Sequence, residues 1–151
     1  MILRVGSIRA KLDLIADYLQ ELQPLSALDK DQIISDVYKY RTTERLEELI
    51  IQASLDIARH ILKEQYKIDP KENSNVFLEL ARVGVIEADF GMTLSEAGSF
   101  RNVLAHLYEK INPEQVVENI QPILRDFSAF SEYIDVYLDS LEGTKNDTES
   151  P

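Results

Sequence analysis

The chain has 151 residues, of which 44% are hydrophobic, and this is about the size of one domain with a single core. It contains no cysteine, which excludes disulfides, thiolate catalysis and cysteine-bound zinc, and which fits a reducing compartment. The net charge is −11, and this counts against a nucleic-acid partner because so acidic a surface repels a polyanion at long range.

The negative charge is unevenly distributed along the chain. From residue 112 onward, nine acidic and two basic residues give a net charge of −7, which leaves −4 for the first 111 residues. A local positive groove therefore stays compatible with the acidic total. The basic side chains of the first part form two clusters, which are Arg4, Arg9 and Lys11, and Lys39, Arg41 and Arg45.

The N-terminal stretch predicts a helix and not a targeting segment. MILRVGSIRAKLDLIADYLQEL has neither the basic start nor the unbroken apolar run of a signal peptide. Its apolar residues step by three or four from about Ile2 to Gln23, where Pro24 ends the helix. Nowhere do about 18 apolar residues follow one another, so we expect a soluble, cytoplasmic protein without a membrane partner.

A second, long helix follows a short loop. Asp29 or Asp31 is its expected N-cap, and its apolar periodicity continues as far as Tyr66. We expect a bend near Thr42 and Thr43, because β-branched residues lower helix propensity.

The third predicted helix begins after Asp69-Pro70, which interrupts the pattern. Ser74 or Asn75 is its expected cap, and Gly84 softens its end.

A fourth helix is predicted after a loop around Gly91. The sequence Thr-Leu-Ser-Glu from Thr93 to Glu96 fits a capping box, in which the threonine hydroxyl and the glutamate each satisfy a backbone amide. This helix ends near Asn112-Pro113.

The last helix is predicted from about Pro113 to Leu141, with Gly143 as its stop. Long helices joined by short loops run mostly antiparallel, so the sequence predicts an all-α, up-and-down bundle of four main helices plus a shorter one. Residues 1–142 form the single predicted domain, and residues 143–151 form a polar, disordered tail.

FRNVLAHLY, residues 100–108, carries a dense group of polar side chains on the fourth helix. At about 100° per residue, Asn102 and His106 form an i, i+4 pair that is able to hydrogen-bond, and Ala105 leaves open space above the backbone. This arrangement is typical of a shallow anion-binding cleft. The apolar arc holds Val103, Leu104 and Leu107, and the polar arc holds Arg101, Asn102, His106 and Tyr108.

Such a set of side chains fits the cleavage of RNA without a metal ion. Histidine exchanges a proton near neutral pH, arginine bridges two phosphate oxygens, and asparagine orients the imidazole. Attack of a ribose 2′-hydroxyl on the adjacent phosphate needs a base, an acid and positive charge. One histidine does not easily serve as both base and acid, so the chemistry favours a symmetric dimer. Periodicity alone, however, favours a solvated helix face.

The residues from Arg101 to Tyr108 resemble the signature of HEPN-domain proteins, in which four residues separate Arg from His and a Tyr follows after one more. They are similar in particular to the HepT-like toxins once grouped as DUF86. RLEELIIQASLDIARHIL at 45–62 and GSFRNVLAHLYEKI at 98–111 resemble that family's long second helix and its signature helix, so the likeness covers most of the chain.

This resemblance implies an all-helical HEPN bundle, a homodimer with a composite cleft, and a metal-independent endoribonuclease that acts as the toxin of a toxin–antitoxin pair. Arg101 and His106 would be catalytic, with Asn102 in support. The implied substrate is RNA, either tRNA or mRNA, with no DNA and no cofactor. The implied partner is an MntA-type nucleotidyltransferase antitoxin that transfers AMP to Tyr108, and the bulky anionic nucleotide would then compete with RNA for Arg101.

A second basic surface is a candidate for RNA binding. Lys39, Arg41 and Arg45 alternate with Tyr38 and Tyr40, and tyrosine rings stack on bases while the cations pair with phosphates. A plain helix surface is the commoner explanation of such a run.

The remaining polar candidates are given structural interpretations. His60 has Asp56 and Glu64 four residues to either side, which favours a helix-surface ion pair over a metal site. The core or boundary tyrosines, which carry no predicted chemistry, are Tyr18, Tyr66, Tyr133 and Tyr137.

Two further hypotheses compete with the ribonuclease. In the first, the same bundle is a non-catalytic module that docks a nucleotidyltransferase or a nucleotide. In the second, the motif has a purely structural role.

Overall fold

The computed structural model describes residues 3–106 and 110–149, and this part of the chain contains helices and no strand. Four helices are long, α4 is shorter, and α2 and α6 are little more than one turn each. The prediction of an all-α bundle is therefore confirmed. The elements are α1 Val5–Leu22, a 3-10 helix Gln23–Ala27, α2 Lys30–Ile34, α3 Val37–Tyr66, α4 Asn73–Arg82, α5 Ala88–His106, α6 Pro113–Glu118 and α7 Ile120–Glu149.

The first helix packs against both of the 30-residue helices, α3 and α7. The backbone amide of Arg4 contacts His60 and the ammonium of Lys11 lies 3.8 Å from Asp56, so α1 and α3 run in opposite directions. The 3-10 helix that contains Pro24 ends α1 where the sequence predicts.

The core lies between these helices and α4. Phe77 of α4 meets Phe127 and Phe130 of α7 edge to face, with ring centroids 6.3 and 5.7 Å apart. Val37, an apolar residue at the start of α3, lies outside this core, because 63% of it is exposed. Among the described helices, none combines the length and the apolar character that crossing a membrane requires. The predicted stripe of α1 is buried at Ile8, Ile15 and Leu22.

The predicted long second helix is broken near its start. Asp29 caps α2 in a capping box, as one of the two predicted caps. Helix α2 ends at Ile34, and α3 begins after Asp36. The carboxylate of Asp36 caps α3 by accepting hydrogen bonds from the backbone amides of Tyr38 and Lys39. Thr43 is buried inside α3 and donates its hydroxyl to the carbonyl of Lys39, so Thr42 and Thr43 do not interrupt the helix, and the predicted bend there stays a prediction.

The start of α4 also differs from the sequence prediction. The N-cap is Glu72, with no side-chain cap hydrogen bond, and Ser74 and Asn75 already lie inside the helix. Gly84 lies just past the end of α4, as predicted, and its softening of that end stays a prediction. It follows the C-cap residue Val83 with φ of +89°, a left-handed conformation that glycine adopts without strain.

The fourth predicted helix is α5, which begins at Ala88, so the predicted capping box at Thr93 is wrong. The Thr93 hydroxyl donates to the carbonyl of Asp89 within the helix. Gly91 is not in a loop either. A Cβ there would lie 2.6 Å from the Cβ of Ala81, so the glycine allows α5 to approach α4 closely.

The last predicted helix is divided in two. Asn112 caps α6 and Pro113 is its first residue, as predicted, but the chain turns at Asn119 before α7 begins. The predicted stop at Gly143 is wrong, because α7 continues to Glu149 and Gly143 does not take the positive φ of a C-terminal cap. The division into a domain and a tail at residue 143 stays a prediction.

Candidate functional site

The signature side chains lie at the C-terminal end of α5. Nη1 of Arg101 is 3.4 Å from Nε2 of His106, while Arg101 is half-buried and His106 is exposed. An arginine only donates hydrogen bonds, so this contact directs the lone pair of Nε2 towards the guanidinium. The two side chains implied to be catalytic, Arg101 and His106, are therefore in contact within one chain.

The guanidinium of Arg101 is partly buried. Its Nε is buried and has no hydrogen-bond partner among the described residues, so its outward donors are the two Nη groups. Leu104, 5% exposed, is the buried apolar residue of this turn of α5.

Asn102 has a partner that the sequence did not suggest. Its Oδ1 accepts a hydrogen bond of 2.7 Å from Nδ2 of Asn73, at the start of α4, and not from His106. Oδ1 of Asn73 in turn accepts from Nη2 of Arg59 on α3 at 2.9 Å, and Nη1 of Arg59 donates to the carbonyl of Pro70. Helices α3 and α4 are thus linked to the signature turn of α5 through these side chains.

Gly98 explains how the two asparagines meet. A Cβ at this position would lie 2.7 Å from the carbonyl oxygen of Asn73, so α5 touches the backbone at the start of α4. One turn further along α5, Asn102 then comes within reach of the Asn73 side chain. A glycine inside a predicted helix was the only local signal of this close approach.

The predicted modification site, Tyr108, lies outside the described residues, as does Leu107 of the predicted apolar arc. Its role therefore stays a prediction.

The basic side chains at the start of α3 are already paired. Each has a carboxylate three residues away in sequence: Lys39 with Asp36 at 2.9 Å, Arg41 with Glu44 at 2.8 Å, and Arg45 with Glu48 at 3.3 Å. All three cations remain at the surface, and 83% of Tyr38 is exposed beside them. This patch combines exposed cations and an aromatic ring, but the nearby carboxylates offset its charge.

Tyr40 connects this patch to the region that follows α5. Its hydroxyl donates to Glu44 at 3.1 Å, and burial, followed by the Glu44 charge, raises its pKa to about 12. Tyr40, Arg41 and Glu44 line an open pocket of about 250 Å³ together with Ile111 and Pro113. The patch on α3 therefore adjoins the segment that comes after the signature helix.

The N-terminal basic cluster does not form a positive groove. The guanidinium of Arg9 contacts Asp135, Asp139 and Glu142 of α7 at 2.6, 3.1 and 3.5 Å, and its pKa is raised, mainly by the hydrogen bond to Asp135. These contacts join α1 to α7 instead.

His60 is not part of a helix-surface ion pair, so that prediction is wrong. Its Nε2 accepts a hydrogen bond of 3.2 Å from the backbone amide of Arg4, just before α1 begins. Asp56 accepts from Gln52 at 2.7 Å and also lies near Lys11.

The four tyrosines predicted to lie in the core or at its boundary are partly buried against it, which confirms that prediction. The hydroxyls of Tyr66 and Tyr137 are 3.3 Å apart, and Tyr133 stacks on Phe90 with ring centroids 5.2 Å apart.

Residues 15–134 match the family model described as Ribonuclease HepT-like. A tRNA nuclease HepT of Aphanizomenon flos-aquae is 31% identical over 135 residues, which cover 89% of this chain and 92% of that protein. An mRNA nuclease HepT of Shewanella oneidensis is 27% identical over 110 residues, covering 68% of this chain and 83% of the relative.

A solved structure shares the fold. It is the tri-AMPylated Shewanella oneidensis HEPN toxin in complex with MNT antitoxin, with a TM-score of 0.77 and 26% identity over 85% of this chain and 96% of that one. Fold and sequence together define a ribonuclease toxin with a HEPN bundle. The chain belongs to the HepT-like ribonuclease family. The resemblance drawn from the signature is confirmed, and with it the expectation of an endoribonuclease toxin.

Proposed function

We propose that this chain cleaves RNA through Arg101 and His106, without a metal ion, as the toxin of a toxin–antitoxin pair. The observation that carries the proposal is the 3.4 Å contact between Nη1 of Arg101 and Nε2 of His106 at an exposed helix end. A phosphate that enters beside this pair meets a fixed positive charge and an unprotonated ring nitrogen together.

The reaction follows from the donor and acceptor roles of the two side chains. When the phosphate arrives, Arg101 donates to a non-bridging oxygen and the Nε2 lone pair of His106 becomes free. His106 then takes the proton of the ribose 2′-hydroxyl, whose oxygen bonds to phosphorus. The bond to the 5′-oxygen breaks, and the products are a cyclic 2′,3′-phosphate and a 5′-hydroxyl end. Arg101 stabilises the extra charge of the phosphoryl group in the transition state.

The leaving 5′-oxygen needs a proton that His106 of the same chain does not supply in the same step. We assign this proton to the histidine of a second copy, which faces the first across a twofold axis. His106 is exposed, so another chain is able to approach it. The active species is then a homodimer with two arginines and two histidines in one cleft.

RNA reaches this cleft across the patch on α3. Lys39, Arg41 and Arg45 are exposed, and the pocket that includes Arg41 adjoins the segment after α5. Binding exchanges their carboxylate partners for phosphates, so each cation contributes less than a free one. The relatives named above act on tRNA and on mRNA, and we propose a cytoplasmic RNA of one of these kinds as the substrate.

The proposed antitoxin is an MntA-type nucleotidyltransferase that transfers AMP to Tyr108. Support comes from the related toxin, which is tri-AMPylated in its complex with the MNT antitoxin. Tyr108 follows His106 by two residues in the sequence, so an attached nucleotide brings its phosphate close to the catalytic pair. Inhibition then combines occupancy of the cleft with competition for Arg101.

The catalytic proposal is tested with purified chain free of antitoxin. We expect it to cleave RNA in EDTA, and we expect His106→Ala to remove this activity without changing the helical circular dichroism. The matched control is His60→Gln, which replaces the other histidine and keeps an acceptor for the Arg4 amide, and it should cleave normally. Full activity in His106→Ala would exclude this histidine from the reaction. Loss of antitoxin affinity alone would favour the non-catalytic docking module.

The RNA patch is tested by comparing two arginines in similar ion pairs. Arg41→Ala should weaken RNA binding and reduce the slope of log K against log salt by about 0.7, the value for one contact with a single strand. Arg82→Ala is the control, because Arg82 also pairs with a glutamate three residues away and is similarly exposed, at 62% against 67%. Equal salt slopes for both variants would remove the α3 patch from the RNA path.

The switch is tested by mass spectrometry of the chain co-expressed with the nucleotidyltransferase. We expect added mass in units of AMP on Tyr108, and none on this peptide in Tyr108→Phe. An unmodified Tyr108 in an inhibited complex would mean that the antitoxin acts by masking alone.

A further inference from the structure

The hydrogen bonds behind the signature helix fix which way the amide of Asn102 points. We propose that Arg59 and Asn73 are positioning residues that hold Asn102 with its oxygen towards α4 and its NH2 group towards the cleft, where it donates to the phosphate of the bound RNA. This inference rests on the function proposed above, and it assigns roles to two residues far from the signature in sequence.

The amide orientation of Asn73 follows from the hydrogen-bonding chemistry of Arg59. A guanidinium has donors and no acceptor, so the atom of Asn73 that lies 2.9 Å from Nη2 of Arg59 has to be the amide oxygen. The second donation of Arg59, to the carbonyl of Pro70, holds the guanidinium in place beside α4. Asn73 is therefore not free to turn its amide over.

The same reasoning fixes the amide orientation of Asn102. With its oxygen bonded to Arg59, Asn73 presents only Nδ2 to Asn102, and the atom 2.7 Å away has to be an acceptor, Oδ1. Nδ2 of Asn102 is left on the other side of the amide plane. Within the described part of the chain, nothing accepts a hydrogen bond from it.

The free NH2 group lies where a donor is useful. Asn102 follows Arg101 directly and comes one turn before His106, so its amide shares the helix face of the catalytic histidine. Asn102 is half-buried, which restricts competing contacts with water. A donor held in advance near a phosphate costs no reorganisation when charge develops, and removal of one such donor typically reduces kcat by about 10²- to 10³-fold.

The substitution Asn73→Asp reverses the orientation with almost no change of shape. A carboxylate at this position still accepts from Arg59, now as a charged pair, so the fold keeps its link between α3 and α4. It has no hydrogen to donate, so Asn102 has to turn its NH2 group towards it. The amide oxygen of Asn102 then faces the cleft and repels the phosphate. We expect kcat to fall by about 10²-fold while KM and the urea midpoint stay near the wild-type values.

Two further variants separate this effect from added charge. Asn75→Asp places the same charge in the same turn of α4 on an exposed residue, and it should cleave RNA like the wild type. In the Asn102→Ala background, Asn73→Asp should cause no further loss of kcat, because the only route for its effect is already gone. A fluorescent oligoribonucleotide in EDTA serves as substrate in every assay. Normal turnover in Asn73→Asp, or an additional loss in the double variant, would overturn the proposal.

A measurement that does not depend on cleavage tests the orientation itself. In side-chain amide spectra of 15N-labelled protein, the NH2 protons of Asn73 should exchange with water more slowly than those of Asn102. Asn73→Asp should then slow the exchange of the Asn102 protons. The opposite order in the wild type would refute the assigned orientation even in an active enzyme. If the Asn73 protons exchange more slowly than the Asn102 protons but the chain cleaves no RNA, only the proposed function is refuted.

Discussion

Glu47 gives α3 a pH dependence that one substitution should remove. Its side chain is fully buried, and neither carboxylate oxygen has a hydrogen-bond partner among the described residues. Burial, and after it the charge of Glu44, raises its pKa well above the ordinary value of 4.5. The side chain is therefore protonated in the folded chain at pH values where the unfolded chain carries a carboxylate.

The sign and size of the effect follow from this difference in bound protons. Because the folded pKa is raised, the contribution of Glu47 to stability is complete below the unfolded pKa and is lost as the pH rises through the folded pKa. Between the unfolded and the folded pKa, the folded state holds one more proton than the unfolded state. The free energy of unfolding therefore falls by about 1.4 kcal/mol for each unit that the pH rises. Between pH 5 and pH 7 this amounts to at most about 3 kcal/mol. Glu47→Gln does not titrate and should not lose this stability.

The assay is urea denaturation at pH 5, 6 and 7, followed by circular dichroism at one protein concentration, since association also shifts the midpoint. The difference between Glu47→Gln and the wild type should grow in favour of the variant as the pH rises. Glu64→Gln, on the same helix but less buried, is the control for removing a carboxylate from α3. Parallel pH profiles for Glu47→Gln and the wild type would refute a protonated Glu47.

Two further substitutions test contacts between helices, each beside a control substitution. Gly98→Ala should destabilise the fold by about 1–3 kcal/mol and slow RNA cleavage, because its methyl group would lie 2.7 Å from a carbonyl oxygen of α4. Gly143→Ala is the control, because a Cβ at this position meets no atom within 4 Å. It should be neutral or stabilise by up to about 1 kcal/mol in urea denaturation. Equal effects of Gly98→Ala and Gly143→Ala would contradict the steric explanation. Tyr137→Phe leaves the Tyr66 hydroxyl without its partner and should cost about 1 kcal/mol, whereas Tyr38→Phe, on an exposed ring, should cost nothing measurable.

The sequence predicted those parts of the fold that depend on neighbours in the chain. The apolar stripe of α1, an N-cap at Asp29 or Asp31 and a helix start at Pro113 are local patterns, and the structure has the stripe, the cap at Asp29 and the start of α6. The start of α5 was missed because Gly91 resembles a loop residue in sequence. Its actual role is to let two helices approach each other, and this depends on Ala81, which a local pattern does not reveal.

The contacts of the candidate site also differ in whether the sequence alone could predict them. Arg101 and His106 are five residues apart on one helix, and it was the family signature, not helical spacing, that paired them. Arg59 and Asn73 are 14 residues apart, and Asn73 and Asn102 are 29 apart, so only the packing of three helices makes them neighbours. Helical spacing assigned Asn102 to the wrong partner, because a contact from another helix replaced the one expected within α5.

The start of α4 bears on how the protein responds to heat. Asn73 lies in the first turn of a ten-residue helix that has no side-chain cap hydrogen bond, and uncapped helix ends fray at free energies far below that of global unfolding. Fraying of this turn would release Asn102 while the aromatic core around Phe77 stays packed. If this turn frays before the core on warming, RNA cleavage should fall before the helical circular dichroism does and should return on cooling.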